Sequence, residues 1–283
     1  MTKVEEAHSE QVNAYFQNDT DYWQNVYVAR DARAEMIRDR HEAVLRWIDQ
    51  LDLAPGSQVL EVGCGAGFMA LALAERGFNV RAIDSVEGMI EVARRNAAGR
   101  EFAGQLSLEV GDVYSLKFDD ASFDLVLAVG VISWLEHVEA AIREMTRVLK
   151  PGGYLLLTSG NWAGLANQFD PVISPLLTPL KIGLKKALVR AGLRKPTPAM
   201  RFPRSRSIDR ILARLQLVKI KGETRGFGFS FFRRAIPDPL GTAIHHRFQT
   251  LADRGVPVFR ATGRTYHVLA RKEDYAASSQ ESR

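Results

Sequence analysis

The sequence predicts an α/β protein built on a doubly wound, mostly parallel sheet, and three features carry that expectation. Between residues 58 and 160, short apolar runs alternate with amphipathic helical ones at the spacing of βαβ units. The fourth apolar run, FDLVLAVG (123–130), is apolar at nearly every position, as a strand covered on both faces should be. The first run ends in a turn that packs glycine at every second position, Gly63, Gly65 and Gly67.

Taken in order, residues 11–50 read as helical, with Met36, Ile37, Val44, Leu45, Ile48 and Leu51 near helical spacing among charges. APGS (54–57) breaks that pattern before the strand QVLEV (58–62). FMALALAERG is a helix closed by Gly77, NVRAID (79–84) a second strand, and VEGMIEVARRNAA a second helix. LSLEVGD (106–112) is a third strand, and HVEAAIREMTRVL a helix stopped by KPGG (150–153) before a fifth strand, YLLLTSG (154–160). Beyond a proline-bounded insertion come a helix, SRSIDRILARL (205–215), and two strands, QLVKIKGETRG (216–226) and RTYHVLARK (264–272), which bring the count to seven. Residues 227–263 read as irregular. The segments are 1–50 (a helical cap), 51–160 (the core), 161–204 (a basic helical insertion), 205–272 (a helix and strands completing the sheet) and 273–283 (a disordered tail).

Composition fits an ordinary globular protein, 46% hydrophobic and 25% charged. A single cysteine, Cys64, excludes an internal disulfide framework and a cysteine-based metal site. No H-x₃-H or acid–histidine cluster is present, so no metal is expected. The opening MTKVEEAHSEQVNAYF lacks the apolar core of a signal peptide, and no run of apolar residues reaches membrane-spanning length. A cytoplasmic protein is expected, with peripheral contact to a membrane surface open to it. The net charge of +5 is uneven: residues 1–159 carry 15 Lys/Arg against 25 Asp/Glu, and residues 160–272 carry 22 against 5. That split suggests an anionic partner for the second part, or neutralisation of one part by the other across their interface.

Glycines after a buried strand permit a tight turn and let a ligand approach where a Cβ would collide. A dinucleotide-binding turn spaces them G-x-G-x-x-G. Here the pattern is G-x-G-x-G, with Phe68 where the last glycine would stand. Asp84 lies 21 residues beyond Gly63 at the end of the second strand, where a carboxylate can accept from both ribose hydroxyls. The glycines alone leave a dinucleotide and a nucleoside both open.

Other residues separate them. VLEVGCGAG (59–67), VRAIDSVEGMIEVAR (80–94), VGDVYSLKFDDASFDLVLAVGVISWLEHV (110–138) and EMTRVLKPGGYLLLTS (144–159) resemble, in order, the class I S-adenosylmethionine-dependent methyltransferases, whose fold is Rossmann-like. VNAYFQNDTDYWQNVY resembles the helical N-terminus of the branch that methylates quinone precursors, porphyrins and similar small molecules. The resemblance implies that Glu61, Gly63, Cys64, Gly65 and Gly67 form the loop facing the methionine half of S-adenosylmethionine. It implies that Asp84 holds the ribose, that Ser85 and Met89 line the nucleoside, and that Asp112 and the Val113 N–H meet the adenine. Val129 and Gly130 would border the transferring methyl. Gly63, Asp84, Asp112 and Gly130 all fall at carboxyl ends of strands, where open parallel sheets bind ligands.

Methyl transfer to a hydroxyl needs an aligned nucleophile and a proton acceptor. His137, just after the fourth strand, is the candidate base, with bracing of its loop as the alternative. Tyr22 and Trp23 are candidates for a lid, and Ser133, Trp134, Asn161 and Trp162 for the acceptor side; each could equally be packing. His245 and His246 are adjacent in a basic stretch and are expected to point apart. In the insertion, Leu177, Leu180, Leu184, Leu188 and Ala191 form a stripe beside Lys181, Lys185, Lys186, Arg190 and Arg194, which suits a lid or an element on an anionic membrane surface. Nucleic acid ranks below a small molecule, because the stretch after the fourth strand is AVGVISW and lacks the N/D-P-P-Y/F motif of base methylases. The expected function is therefore transfer of a methyl group from S-adenosylmethionine to a small, amphipathic or anionic organic acceptor, at oxygen. Carbon or nitrogen methylation, and a non-catalytic binding protein of the same fold, are the alternatives.

Overall fold

The computed structural model describes residues 3–27, 29, 32–102, 104–169, 198, 200–228, 230–231, 234–235 and 240–274. Three helices lead: α1 (Lys3–Asn18), α2 (Thr20–Asn25) and α3 (Ala32–Ile48). Then follow β1 (Gln58–Val62), α4 (Phe68–Glu75), β2 (Asn79–Asp84), α5 (Glu87–Ala97), β3 (Leu106–Val110) and β4 (Phe123–Ala128). After them come α6 (Val138–Val148), β5 (Leu149–Gly160), α7 (Leu165–Phe169), α8 (Ser205–Arg214) and β6 (Leu217–Arg225). A two-residue ladder, β7 (Ser230–Phe231) with β8 (Arg234–Ala235), precedes α9 (Leu240–Asp253), α10 (Pro257–Thr262) and β9 (Thr265–Lys272).

Seven strands form one sheet in the order β3-β2-β1-β4-β5-β9-β6. All neighbours are parallel except β9, which runs antiparallel between β5 and β6. The order reverses at β1, whose two neighbours are β2 and β4, and that is the switch point where such sheets open a crevice beyond the strand ends. Period-2 alternation sorts the core into two layers. Val126, Ala128, Leu155, Leu157, Val268 and Ala270 pack with Ile142, Met145, Ile208 and Leu212 of α6 and α8. Leu125, Leu127, Leu156 and Leu269 pack with Val44 and Trp47 of α3 and with Met69, Ala70 and Leu73 of α4. Each valine, leucine, isoleucine or methionine among them, taken from exposed to fully buried, stabilises the fold by about 1.5–3 kcal/mol.

Two sequence readings change. The fifth strand begins at Leu149 and runs through the KPGG turn, with a register shift between Phe123 and Leu125 that accommodates the extra residues. Residues 227–263, read as irregular, contain α9 and α10. The buried positions of α9 are Gly241, His245, Gln249 and Ala252, a helical stripe in which polar residues replace the apolar ones that periodicity detects. His245 and His246 do part company: His245 is buried and its Nδ1 accepts from the Phe227 N–H, while His246 is exposed beside Glu35.

The uneven charge is met partly from within. Arg225, buried, pairs with Asp39 of α3 at 2.9 Å, Arg201 with Glu136 at 3.0 Å, and Arg214 with Glu139 at 2.6 Å. The leucine stripe at 177–191 with its cations, and the tail from 275 on, lie outside the described residues. Among the described residues no helix is long and apolar enough to cross a membrane.

Candidate functional site

β1 delivers the chain into a turn whose three glycines, Gly63, Gly65 and Gly67, all hold positive φ. Gly63 has φ +69°, and a Cβ there would sit 2.3 Å from Cγ2 of Val131. Gly67 has φ +81°, and a Cβ there would meet Cβ of Ala93 on α5 at 2.8 Å. Gly65 differs: at φ +52° its Cβ would meet nothing within 4 Å. Two of these glycines are therefore required by packing. The third leaves open space, which belongs to a cavity of about 800 Å³ at the carboxyl ends of β1 to β5.

Asp84 closes the turn from the side. Its Oδ2 accepts from the Gly65 N–H at 2.9 Å, and its Oδ1 accepts from the Val86 N–H at 2.9 Å. Burial raises its pKa, partly offset by the backbone N–H groups of Val86, Gly65 and Ser85. The carboxylate borders the cavity, and each oxygen keeps a lone pair for a further donor. Asp112, two residues past β3, accepts from the Tyr114 N–H at 2.9 Å through Oδ1 and also borders the cavity. Gly130 follows β4 at φ +83°; its N–H donates to Thr158 Oγ1 at 2.7 Å.

On the far side of β1 stands a residue that the sequence reading did not select. Arg40 of α3 borders the cavity, with one guanidinium nitrogen 3.0 Å from where a Gly130 Cβ would be. Burial lowers its pKa, opposed by the hydroxyl of Tyr27, to which it hydrogen-bonds. Its Nε is enclosed with no partner, and no carboxylate among the described residues forms an ion pair with it. An enclosed cation without an anion beside it is costly. The signal was present in the sequence. Arg40 lies three and four residues from Ile37 and Met36 and from Ala43 and Val44, on the stripe of α3 that faces inward.

The other expected residues divide. Cys64, Ser85, Met89, Val113, Val129, Ser133, Trp134 and Trp23 reach the cavity wall. Ser85 Oγ donates to Asn13 of α1 at 2.9 Å, and Ser133 Oγ accepts from the Gly160 N–H at 2.7 Å. Burial pushes the Cys64 thiol up, so it is no nucleophile. Trp134 stacks on Tyr15 at 5.6 Å and meets Phe16 edge-on at 5.1 Å, an aromatic wall drawn from α1. Glu61 and Gly67 lie beneath the loop and not on the wall. The Glu61 carboxyl accepts from the Ala70 N–H in the first turn of α4, its Oε2 has no partner, and burial pushes its pKa up to about 8.

Four expected residues stand off the wall altogether: Tyr22, His137, Asn161 and Trp162. Tyr22 packs edge-on against Trp23. Asn161 pins the turn before β9, donating to the Ala261 and Gly263 carbonyls at 3.0 and 2.8 Å. Trp162 lies under the Arg204 guanidinium at 4.7 Å. His137 caps α6 from behind Tyr114, whose hydroxyl accepts its backbone N–H, so the expectation of a base there finds no geometric support.

The arrangement fits a nucleoside joined to an anionic amino-acid tail. It offers ribose and base acceptors at one end, a glycine with room in front of it at the centre, and an enclosed cation beyond. Comparison with known proteins points the same way. Residues 60–157 match the profile of a methyltransferase domain. Malonyl-[acyl-carrier protein] O-methyltransferase of Serratia marcescens is 33% identical over 145 residues, half of this chain and 53% of that protein. The chain thus spans about half the length of the curated relatives it matches. Magnesium protoporphyrin IX methyltransferase of Synechocystis, solved with S-adenosylhomocysteine bound, superposes with a TM-score of 0.60 at 19% identity, covering 93% of this chain and 98% of that one. The [4+2]-cyclase SpnF does so at 0.61 and 18%, covering 94% and 96%. These last two likenesses are of fold.

Proposed function

The chain belongs, over residues 60–157, to the methyltransferase-domain family, whose cofactor is S-adenosylmethionine, and on that premise we propose that the protein methylates an oxygen of a small organic acceptor. The observation that carries this reading is the convergence of Gly65, Asp84, Asp112, Gly130 and Arg40 on one cavity at the switch point of the sheet. Asp84 accepts from the ribose hydroxyls, Asp112 and the Val113 N–H meet the adenine, and Gly65 gives the methionine half room to pass. Arg40 receives the α-carboxylate. When bound, S-adenosylmethionine supplies an electrophilic methyl on a cationic sulfur. The chain's part is to hold that methyl in line with the acceptor and to keep water out.

The acceptor reaches the methyl from the side of β5, β9 and β6, where Phe202, Met36, Arg264 and Thr265 continue the wall. Tyr15, Phe16, Trp23 and Trp134 give that wall flat apolar faces suited to an amphipathic molecule. The relative that acts on malonyl-[acyl-carrier protein] supports an oxygen acceptor. The test supplies methyl-labelled S-adenosylmethionine and the small-molecule fraction of a cell extract. Label appearing in an extractable organic product, with S-adenosylhomocysteine formed in equal amount, is expected. Intact S-adenosylmethionine in every fraction would favour a protein that keeps the fold for another purpose, as the cyclase neighbour shows the fold allows.

A further inference from the structure

We propose that Arg225 and Asp39, neither of which borders the cavity, are positioning residues that set where Arg40 presents its guanidinium. The inference rests on the reading in which Arg40 receives the cofactor's carboxylate, and it starts from how α3 is held. Val44, Trp47 and Ile48, in the second half of that helix, sit in the core with β1, β4 and α4. Met36, Ile37 and Arg40, in its first half, border the cavity. A helix face over open space has no neighbours there to fix its rotation about the axis. At the side-chain radius of a helix, about 5–6 Å, a rotation of about 10° moves a group by about 1 Å, enough to break a hydrogen bond.

Polar contacts supply the missing hold. Three consecutive residues, about 100° apart around the axis, take three directions. Arg38 Nη1 donates to the Tyr27 and Ala29 carbonyls at 3.2 and 2.5 Å, which ties down the chain before the helix. Arg40 faces the cavity and hydrogen-bonds to the Tyr27 hydroxyl. Asp39, between them, receives the fork of Arg225: Nη2 donates to Oδ1 at 2.9 Å and Nε to Oδ2 at 3.3 Å. A two-point fork fixes distance and plane together. Because Asp39 and Arg40 are neighbours on one rigid helix, holding the first sets the second.

Arg225 is itself a fixed point. It ends β6, where its backbone pairs with Thr265 of β9, and its side chain is 8% exposed. Its Nη1 is held from the other side by Glu223 at 3.1 Å and Asp253 of α9 at 3.2 Å. Gln249 of α9 closes that side, donating to Asp253 at 2.9 Å and accepting from the Gly226 N–H at 3.0 Å. The chain leaving β6 touches α3 a second time, since the Gly228 N–H meets the Met36 sulfur at 3.0 Å, three residues before Asp39. A buried ion pair adds little stability over an apolar pair of like volume, so its directional hold is the property to test.

The experiment uses the whole protein and calorimetry with two probes, S-adenosylhomocysteine and adenosine, which lacks the carboxylate. Asp39→Ala removes the partner of the fork, while Glu223 and Asp253 still neutralise Arg225 and alanine favours the helix. S-adenosylhomocysteine should bind about 3- to 30-fold more weakly, with adenosine within about twofold of the parent. The sign is diagnostic, because removing an acid beside Arg40 would by charge alone tighten an anionic ligand. In an Arg40→Gln background the Asp39→Ala loss should vanish, since no guanidinium is left to position. Asp39→Asn, which keeps the shape and one acceptor, should give a smaller loss of the same kind, and it carries the test if Asp39→Ala does not fold. Arg225→Lys keeps the charge without the fork and should also weaken S-adenosylhomocysteine alone. Unchanged or tighter S-adenosylhomocysteine, equal losses for both probes, or a loss that persists in the Arg40→Gln background overturns the proposal and leaves the carboxylate reading standing. Arg40→Gln that binds S-adenosylhomocysteine like the parent overturns that reading and this proposal with it, and no binding by the parent overturns the methyl-transfer reading itself.

Discussion

Replacing each loop glycine in turn by alanine separates a glycine required by packing from one required by a ligand. At Gly63 the new methyl enters Val131, with 2.3 Å to Cγ2, and the residue must hold φ +69°. A left-handed alanine costs about 1–2 kcal/mol and an overpacked methyl about 1–3 kcal/mol, so Gly63→Ala should destabilise by about 2–5 kcal/mol. Gly67→Ala meets Ala93 Cβ at 2.8 Å and its Cα at 3.3 Å, at φ +81°, and falls in the same range. Gly65→Ala pays only for its backbone at φ +52°, since nothing lies within 4 Å of its methyl. The stiffer unfolded chain returns about 0.4–1 kcal/mol of that, leaving a net loss near 1 kcal/mol. Its methyl instead occupies space the cofactor needs, and overpacking there should weaken S-adenosylhomocysteine by about 5- to 150-fold. Urea denaturation gives the stabilities, and calorimetry at a temperature where all three variants are folded gives the affinities. The reasoning fails if Gly65→Ala binds S-adenosylhomocysteine within about twofold of the parent, or loses as much stability as Gly63→Ala.

Three further outcomes can be measured on the same footing. Asp84→Asn keeps the shape but loses a charged acceptor worth about 1.5–3 kcal/mol, so S-adenosylhomocysteine should bind about 10- to 150-fold more weakly by calorimetry. Arg40→Gln should weaken S-adenosylhomocysteine about 10-fold or more while leaving adenosine, which has no carboxylate, unchanged; equal losses for both ligands would place the guanidinium elsewhere. Glu61 is held near pKa 8 in the folded protein against an ordinary 4.5, so the folded state binds its proton more tightly than the unfolded one. Its contribution is full below pH 4.5 and is lost as pH rises through 8, so urea denaturation from pH 5 to 8 should move the stability gap toward Glu61→Gln by about 2–4 kcal/mol. A gap that does not change with pH would contradict the buried, proton-holding carboxyl.

The sheet was legible because its strands obey simple rules. Leu125 and Leu127 face one layer and Val126 and Ala128 the other, so β4 reads as apolar throughout. The carboxyl ends of β1 to β4 were legible too, since a glycine turn and two acids at strand ends are local patterns. What failed was tertiary. α9 buries His245 and Gln249, whose polar atoms bond to Phe227 and Gly226, so no apolar period marked the helix. Asn161 and Trp162 follow β5 as acceptor residues would, but their side chains turn away to Gly263 and Arg204, a direction that sequence spacing does not encode. Arg40 is one of many charges in residues 11–50, and only its place on the inward stripe of α3 distinguishes it.

The central claim is that this cavity holds S-adenosylmethionine by its nucleoside and its carboxylate, with no pyrophosphate site. One calorimetric experiment tests it, titrating the purified protein in parallel with S-adenosylhomocysteine and with NAD. Low-micromolar binding of S-adenosylhomocysteine at one site per chain, with no heat from NAD, is the result expected from the glycine turn, Asp84, Asp112 and Arg40. Tight binding of NAD with no response to S-adenosylhomocysteine would contradict it.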